Sequence, residues 1–345
     1  MIRVFDFFSG CGGTSLGFTQ AGMKVVFGLD NDPDAAATFR KNINSATFIQ
    51  KDIRNVRTSA LAPLLESSDD PVLFSCCAPC QPFSKQSRSK NAGDPRRSLL
   101  GEFARFVKRW EPDYIFVENV PGLQHVESSK GPLGQFVTLL EKLSYSYVVD
   151  VLPALCFGVP QKRERLILLA SRQAGLKMPR ATHGASRRRV ATVRDWIGDL
   201  PAIVAGEAHP EDPDHRAAGL SVANLKRIAA TPEGGGRDSW PKSLWLDCHK
   251  KFDGHTDVYG RLAWDRPASG LTTRCISYSN GRFGHPDQNR AISVREAACL
   301  QTFPRRYRFV GSHESKARQV GNAVPPLMAK AIGKAFLAHA RNGGT

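Results

Sequence analysis

The first half of the chain alternates short apolar segments with helical patterns, and this alternation restricts the fold more than any other feature. Short apolar runs bounded by turn residues are typical of buried strands. Such runs occur at 2–7, 24–29, 46–49, 72–75, 114–117, 146–152 and 165–170. Helical patterns, at 34–42 and 99–110 among others, separate several of these runs. The alternation predicts an α/β fold in which a doubly wound, mainly parallel sheet carries helices on both faces.

The pattern changes near Ser171, where the alternation of strands and helices stops. The following stretch contains an arginine run at 187–189, a segment rich in proline, histidine and acids at 205–218, and three consecutive glycines at 234–236. This composition favours loops and short strands over long regular elements. It predicts a second, smaller domain of mostly irregular or β structure at 176–315.

Helical patterns return near the end of the chain. Ser293 is a predicted N-cap, and Glu296 stands where it would complete a capping box. A last helical pattern covers 325–340. Because we expect this last helix to pack back on the sheet, residues 1–175 and 316–345 are predicted to form a single catalytic domain.

Polar residues follow several of the predicted strands. In an open α/β sheet the carboxyl ends of parallel strands share one edge, and ligands gather there. The polar residues at these strand ends are Asp6, Asp30, Asp52, the Cys80 loop and the Glu118-Asn119 pair. We therefore expect the functional site to be assembled from these strand ends.

The segment at 6–18, DFFSGCGGTSLGF, is typical of a strand, a glycine turn and the start of a helix. Glycines allow a tight turn and a close approach of the backbone to a ligand. The dinucleotide fingerprint is incomplete, because Ser15 stands where its third glycine is required, although Asp30 has the spacing of a ribose-binding acid. An adenosine ligand without pyrophosphate, such as S-adenosylmethionine, fits this pattern better than NAD. Turn glycines and helix-capping acids without a ligand are the alternative.

A cysteine between two prolines, in Pro79-Cys80-Gln81-Pro82, follows the fourth predicted strand. The next segment, 84–97, is rich in lysine and arginine, and nearby positive charge lowers the pKa of a thiol and favours the nucleophilic thiolate. Cys77 and Cys80 could instead form half of a zinc site or a redox pair. The eight cysteines contain no second C-x-x-C spacing, which argues against a four-ligand zinc site, so we predict no metal. On the spacing alone, a nucleophile and a redox pair both stay open.

The chain carries a strong excess of positive charge. Its formal net charge is +16 and its pI is about 9.7. Such an excess favours binding to nucleic acid or another polyanion, and an incidental basic surface is the alternative. The scattered cysteines do not form a secreted disulfide framework, and neither a signal peptide nor an apolar run of about 18 residues is visible. These features predict a soluble protein of the cell interior, with no membrane partner.

Taken together, the motifs resemble those of the DNA cytosine-5 methyltransferase family, in the family's order and over nearly the whole chain. The matching segments are the glycine turn at 6–18, Asp30-Asn31, Asp52-Ile53, Pro79-Cys80-Gln81, Glu118-Asn119-Val120, QKRER at 161–165, RPASGLTTR at 266–274 and GNAVPP at 321–326. The chain departs from the family pattern at Cys76-Cys77-Ala78 and at Ser269-Gly270. Neither departure removes a reacting group.

The resemblance implies a Rossmann-like methyltransferase fold and a set of site residues. Cys80 would add to carbon 6 of a flipped-out cytosine, Glu118 would hold the base and supply a proton, and Arg163 and Arg165 would complete the catalytic set. S-adenosyl-L-methionine is the implied methyl donor, and S-adenosyl-L-homocysteine the product. The implied cofactor contacts are Phe8, Gly10, Cys11, Gly13, Asp30, Asn31, Asp52, Ile53, Pro79, Asn322 and Val324.

The resemblance also implies a partner, namely a specific sequence in double-stranded DNA. We expect the segment 84–97 to close over the site and target recognition to lie within 171–265. The arginines at 187–189 are candidates for phosphate contacts, and side chains such as Arg237 are candidates for base edges; a solvated surface is the alternative for each. A second basic group at 305–318 is expected beside the DNA. The implied setting is a restriction-modification system, with a separate cognate endonuclease, or an orphan methylase. We expect a cytoplasmic, nucleoid-associated monomer.

Three alternatives stay open at this point. A transfer-RNA cytosine methyltransferase shares the proline-cysteine and glutamate-asparagine-valine motifs. A non-catalytic DNA-binding regulator could keep the fold, although Cys80, Glu118, Arg163 and Arg165 are all intact. An NAD oxidoreductase is the third. Methyl transfer to duplex DNA compared with transfer RNA distinguishes the first from the main hypothesis.

Overall fold

The computed structural model describes residues 1–78, 99–121, 131–250 and 257–343. The strands, in chain order, are β1 (Arg3–Phe7), β2 (Lys24–Asp30), β3 (Thr47–Gln50), β4 (Val72–Cys76), β5 (Tyr114–Asn119), β6 (Ser146–Pro153), β7 (Gln161–Lys162), β8 (Glu164–Ser171), β9 (Ala208–His209), β10 (Asp212–Arg216) and β11 (Ala268–Ser269). The α-helices are α1 (Gly13–Ala21), α2 (Pro33–Asn42), α3 (Ala62–Leu65), α4 (Leu99–Trp110), α5 (Pro132–Lys142), α6 (Val193–Ile197), α7 (Val222–Ala229), α8 (Asp247–Lys250), α9 (Val294–Leu300), α10 (His313–Asn322) and α11 (Pro326–Asn342).

The strands predicted from the apolar runs pair into one sheet. Their order across the sheet is β3-β2-β1-β4-β5-β8-β6. The strands from β3 to β5 in that order run parallel, whereas β8 is antiparallel to both β5 and β6. The predicted α/β class with a mainly parallel sheet is confirmed. Because β8 runs the other way, it begins at the edge where its neighbour β5 ends.

The core of the sheet is built from phenylalanines. Every residue of the central strand β1 is buried, and the Phe7 ring lies 5.0 Å from that of Phe106 and 5.2 Å from those of Phe74 and Phe103. Phe103 and Phe106 are three residues apart on α4, so they share one face of that helix. Each fully buried phenylalanine contributes about 1.5–3 kcal/mol to stability. This packing fixes the strand end from which the glycine turn departs.

The predicted C-terminal helix is present as α11, and it packs against α1 at two glycines. A Cβ atom at Gly17 would lie 2.4 Å from the Cβ of Ala329, and one at Gly333 would lie 2.8 Å from the Cβ of Ala21. No side chain fits either position, so the two helices approach at their backbones. The contact holds α1, the helix that follows the glycine turn, in place.

The chain divides into two compact units. The first contains Met1–Pro153, Glu164–Ala181 and Val324–Thr345, and the second contains Ala154–Arg163 and Thr182–Ala323. We predicted 154–163 and 316–323 in the catalytic domain and 176–181 in the smaller domain, so the boundaries differ at these three segments. In the structure the first of these segments pairs with the second unit through β7 and β11. The functions assigned to the two domains stay predictions.

Within its described residues, the second unit consists of short helices, single turns and two-stranded ladders. The predicted capping box at the start of α9 is present, with Ser293 accepting from the Glu296 amide at 3.0 Å. Arg290 also donates two hydrogen bonds of 2.7 Å to the buried Glu296 carboxylate. Buried ion pairs of this kind organise a unit that has little regular structure. Among the residues that the structure describes, no helix combines the length and apolar character needed to cross a bilayer.

Candidate active site

The sheet register brings the predicted site residues to one edge of the first unit. Phe7, the last residue of β1, pairs with Leu29 on one side and with Cys76 on the other. Cys76 in turn pairs with Val117, one residue before Glu118. The glycine turn, Asp30, the residues after Cys76 and Glu118 therefore all follow the same line of strand ends, as the sequence predicts.

The glycine turn has the backbone conformation that its glycines allow. Gly10 and Gly12 have φ angles of +51° and +90°, and Phe8 has a φ angle of +56°. A positive φ is unfavourable for a residue with a bulky side chain. The conformation is held by the Ser9 amide, which donates to the Leu29 carbonyl at 3.0 Å, and by the Gly12 amide, which donates to the Ser9 carbonyl at 2.9 Å. The predicted cofactor residue Phe8 thus lies in a strained, well-determined turn.

The carboxylate of Asp30 joins this turn to the next strand. Its two oxygens accept from the amides of Gly10 at 2.8 Å and Asp32 at 2.9 Å. Burial raises the pKa of Asp30, and the two amide hydrogen bonds oppose that effect. Asn31, beside it, is exposed. Each carboxylate oxygen keeps a lone pair for a hydroxyl donor.

Asp52 lies after β3 and is bound by its own neighbour. Its oxygens accept from Nε and Nη2 of Arg54 at 2.9 and 2.6 Å. These hydrogen bonds lower the pKa of Asp52. The next residue, Ile53, is buried in the apolar cluster of the sheet. Of the two acids that were predicted to contact the cofactor, only Asp52 is engaged by a cation among the described residues.

A second carboxylate, Asp6, lies fully buried beneath the turn. It accepts from the hydroxyl of Ser15 at 2.6 Å and from that of Ser75 at 2.8 Å. Burial raises the pKa of Asp6 to about 6. The pair of hydroxyls connects β1 to α1 and to β4, so Asp6 supports the turn from below. The sequence offered Asp6 as a strand-end acid but gave no signal for Ser75.

Glu118 forms a buried ion pair with Arg165. The Nε atom of Arg165 lies 2.7 Å from Oε1 of Glu118, and the two side chains are 17% and 10% exposed. The neighbouring Asn119 accepts from the Val120 amide at 2.9 Å and donates to the Ala78 carbonyl at 3.4 Å. Two of the four predicted catalytic residues are therefore in direct contact, and the Asn119 amide spans from β5 to the chain that follows β4.

The predicted nucleophile Cys80, the cofactor residue Pro79 and the predicted closing segment 84–97 lie outside the described residues. Their neighbour Cys77 is described, and its Sγ lies 3.3 Å from Oγ1 of Thr14 at the start of α1. Burial and the charges of Glu118 and Asp6 raise the pKa of the Cys77 thiol well above its ordinary value. A neutral thiol is a poor nucleophile, so the surroundings of Cys77 disfavour it as a nucleophile.

Arg163 lies in the second unit. Its Nη1 atom donates to the carbonyls of Leu271 at 3.0 Å and Gly321 at 3.1 Å. A Cβ atom at Gly321 would lie 2.2 Å from the Thr272 carbonyl oxygen, so a glycine is required for this close approach. The last three sequence motifs therefore meet around one guanidinium. The catalytic role predicted for Arg163 stays a prediction, and the geometry adds a role in holding these segments together.

A glutamine pair continues this arrangement in the second unit. Gln161 accepts from the Leu271 amide at 3.2 Å and hydrogen-bonds to Gln301, which donates to the carbonyls of Val320 and Ala323 at 2.8 Å. Gln301 was not singled out in the sequence, because a glutamine at the end of a helix carries no motif.

The remaining residues that were predicted to contact the cofactor lie in different parts of the fold. Cys11 and Gly13 are buried in the turn and at the start of α1. Asn322 is exposed at the end of α10, and Val324 is buried in the first unit. In the described ranges, no group of three or more histidine, cysteine or acidic side chains has the arrangement of a metal site.

Some of the basic residues predicted to face DNA pair with acids, and others have no acidic partner among the described residues. Arg305 pairs with Asp199, Arg308 with Asp212 at 3.2 Å, and Lys316 with Asp214 at 2.7 Å. Arg189 pairs with Asp195 in a capping box at the start of α6. By contrast, Arg187, Arg188 and Arg306 are exposed. Several basic residues of these two groups therefore have acidic partners within the second unit, and the exposed pairs among them contribute little to stability.

Comparisons with known proteins agree over the whole length. A family model of C-5 cytosine-specific DNA methylases matches residues 2–338. The chain is 40% identical to the type II methylase M.HgiDII of Herpetosiphon aurantiacus, over 96% of this chain and 94% of that protein. It is 33% identical to the type II methyltransferase M1.HphI of Haemophilus parahaemolyticus, over 97% and 87% respectively.

Solved structures have the same fold. The crystal structure of a Spodoptera frugiperda DNMT2 variant superposes with a TM-score of 0.67 at 17% identity, covering 97% of this chain and 100% of that one. The Entamoeba histolytica methyltransferase EhMeth superposes with a TM-score of 0.66 at 15% identity, covering 98% and 99%.

Proposed function

This chain belongs to the family of C-5 cytosine-specific DNA methylases, and from that premise we propose that it methylates carbon 5 of a cytosine flipped out of duplex DNA, through a covalent adduct of Cys80. The observation that carries the proposal is the buried contact between Glu118 and Arg165. It provides a carboxyl group, fixed at the edge of the sheet where ligands bind, that can hold a pyrimidine ring.

Glu118 is assigned to the base. Its carboxyl group is suited to hydrogen-bond N3 and the exocyclic amino group of cytosine and to pass a proton to N3 as negative charge builds on the ring. Arg165 holds one oxygen of that carboxyl group and leaves the other for the base. Asn119, hydrogen-bonded to the Ala78 carbonyl, holds the end of β5 against the chain that leads to Cys80.

Cys80 is assigned to nucleophilic attack. Its thiolate forms a bond to carbon 6, and the electron pair of the 5,6 double bond becomes available at carbon 5. Carbon 5 then takes the methyl group. Loss of the proton from carbon 5 restores the double bond as the carbon–sulfur bond breaks, which returns the free thiolate. Water is our candidate base for that proton.

The described residues of the glycine turn fit an adenosyl group. A Cβ atom at Gly10 would have no described atom within 4 Å, so no described residue fills the space beside the turn. Asp30 has lone pairs for the ribose hydroxyls, and Phe8, Asn31 and Ile53 are proposed to contact the remainder of the nucleoside. When bound, S-adenosylmethionine supplies an electrophilic methyl group on a sulfonium centre and leaves as S-adenosylhomocysteine.

The substrate is proposed to be a specific duplex sequence. A base stacked in the helix cannot reach a buried carboxyl group, so the target nucleotide must be extruded. Relatives of this chain are named type II enzymes, which supports a role beside a separate restriction endonuclease. We further propose that the enzyme acts in the cytoplasm as a monomer and reads its site with the second unit.

Bisulfite sequencing of DNA from cells that express the chain tests this function and identifies the site. Purified protein should transfer label from S-adenosylmethionine to duplex DNA and not to transfer RNA. Label that appears only in RNA would overturn the DNA assignment. Titration should show binding of S-adenosylhomocysteine and not of NAD.

A further inference from the structure

The second unit contains a cavity of about 540 Å³ that no step of the proposed reaction uses. It is lined by the turn segment 273–280, by the start of α10 and by residues beside α7. This volume is within the range of small-molecule and nucleotide pockets. All of the lining residues belong to one unit. The turn segment lies outside the region 171–265 in which target recognition was predicted, and the start of α10 lies within the basic group at 305–318 that was expected beside the DNA.

Buried side chains and hydrogen bonds fix the conformation of the turn segment 273–280. In the turn segment, Cys275 and Tyr278 are buried, and the Tyr278 hydroxyl lies 3.0 Å from Oγ1 of Thr231. The Ser277 amide donates to the Arg274 carbonyl at 3.0 Å, and Asn280 donates to Oγ of Ser277 at 2.7 Å. The polar groups on the cavity side are therefore placed by a fixed backbone, which lowers the entropy cost of binding.

One polar atom in this wall lacks a partner. The Nε2 atom of His313 is buried, and no described residue hydrogen-bonds to it. A buried polar atom without a partner costs about 1–3 kcal/mol. Burial and the positive charges of Arg216 and Lys316 lower the pKa of His313, and Glu314 opposes them. A ligand atom in the cavity would supply the missing hydrogen bond.

The charges of the residues that line the cavity indicate which kind of ligand it binds. Arg274 and Arg318 line the cavity against a single acid, Glu314. Arg274 is exposed, and in the described ranges no acid pairs with it, whereas Arg194 and Arg295 of the same unit each bind a carboxylate. A guanidinium with free donors is the side chain best suited to a phosphate.

We propose that this cavity seats a backbone phosphate of the bound duplex, with Arg274 as its cation and His313 Nε2 as its hydrogen-bond donor. The proposal rests on duplex DNA being the substrate. Phosphate contacts fix the register of a protein on DNA and carry no sequence information. Arg274 and His313 are therefore positioning residues that act on every sequence alike.

The test measures affinity for a duplex that contains the methylation site and for a scrambled duplex, at several salt concentrations. Arg274→Gln should weaken binding to both duplexes by about tenfold and reduce the slope of log K against log[salt] by about 1. Arg341→Gln, which removes an equally exposed arginine from α11 of the first unit, is the matched control and should leave the slope unchanged. The methylated sequence should stay the same in both variants.

A double-mutant cycle tests whether the two residues hold one phosphate. His313→Ala alone should weaken DNA binding, and it should have no further effect in the Arg274→Gln background, because the shared ligand is then already lost. The thermal midpoint of each variant reports whether it is folded.

Three outcomes would overturn the inference while wild-type methylation persists. The salt slope of Arg274→Gln could equal that of Arg341→Gln, or the effects of Arg274→Gln and His313→Ala on DNA affinity could be fully additive. The third outcome is that Arg274→Gln changes only the affinity for free inorganic phosphate. Absence of methylation by the wild-type protein would instead contradict the proposed function.

Discussion

The Nε atom of Arg165 lies 2.7 Å from Oε1 of Glu118 although the two residues belong to strands that run in opposite directions. Arg165 stands near the start of β8, and Glu118 stands near the end of β5. Because β8 is antiparallel to β5, the first residues of β8 lie at the edge of the sheet where β5 ends. A reversed strand thus delivers a cation to the carboxyl group that is proposed to hold the base.

Replacing Arg165 should therefore damage catalysis more than binding. Arg165→Met leaves the Glu118 carboxyl without its anchor, and we expect kcat to fall about 100-fold with little change in the KM for DNA. Arg165→Lys should recover only part of the rate, because an ammonium lacks the planar fork. Arg172→Met, which removes an exposed ion pair to Glu111 at 3.6 Å, should behave like the wild type. Equal losses in the two methionine variants would contradict the assignment.

The buried Asp6 should make stability depend on pH. Burial raises its pKa from 3.8 to about 6, so between these values the folded state holds a proton that the unfolded state has released. Stability therefore falls as the pH rises through this window. Asp6→Asn keeps the hydroxyl contacts but cannot ionise, and it should gain about 3 kcal/mol relative to the wild type between pH 4 and pH 7. Urea unfolding at stepped pH measures the difference.

Asp52 provides the opposite case for the same experiment. The Arg54 hydrogen bonds lower its pKa, so its contribution is present at neutral pH and disappears as the pH falls through its folded pKa. Asp52→Asn should lose stability relative to the wild type at pH 7 and match it in strong acid. The same sign of pH dependence in both variants would show that Asp6 is not buried as described.

Two glycines should respond oppositely to alanine. Gly321→Ala places a Cβ atom 2.2 Å from the Thr272 carbonyl oxygen, and such overpacking costs about 1–3 kcal/mol. Gly101→Ala, within α4, meets no described atom within 4 Å, and the higher helix propensity of alanine should raise stability by up to about 1 kcal/mol. Thermal midpoints measure both. A Gly321→Ala protein as stable as the wild type would contradict the close packing around Arg163.

The sequence was informative where a pattern repeats or a motif is contiguous. The apolar runs predicted the strands of the main sheet, and Ser293 with Glu296 predicted the start of α9, because both signals depend on local spacing. The family resemblance placed Glu118 and Arg165 in one catalytic set, but nothing local in the sequence indicates that β8 is reversed and brings them into contact.

Long-range contacts made by ordinary polar residues were not predictable. Gln301 hydrogen-bonds to Gln161 and to two carbonyls of a distant segment, Ser75 donates to Asp6, and neither residue has a sequence signal. The ion pairs of Arg305 and Lys316 were missed for a similar reason, since a charge run is equally compatible with bound DNA and with acids elsewhere in the fold. The units seen in the structure differ from the predicted domains partly because Arg163 contacts Leu271 and Gly321, which lie far away in the sequence.

The thiol of Cys77 should be dispensable for methylation. Cys77→Ser replaces the thiol beside Thr14 with a hydroxyl that can keep the polar contact, and because a neutral thiol is a poor nucleophile, methylation should stay within about threefold of the wild type. A loss of activity as large as that of Cys80→Ser would show that Cys77 takes part in the reaction. Initial rates of methyl transfer to duplex DNA measure both variants.

The central claim is the covalent adduct of Cys80, and trapping tests it most directly. In a duplex with 5-fluorocytosine at the target position, the proton that must leave carbon 5 is replaced by fluorine, so the adduct cannot resolve. With S-adenosylmethionine, the wild type and Cys77→Ser should form a complex that survives denaturation and has the combined mass of protein and DNA strand, and Cys80→Ser should form none. A complex of the same mass with Cys80→Ser, or none with the active wild-type enzyme, would contradict the account.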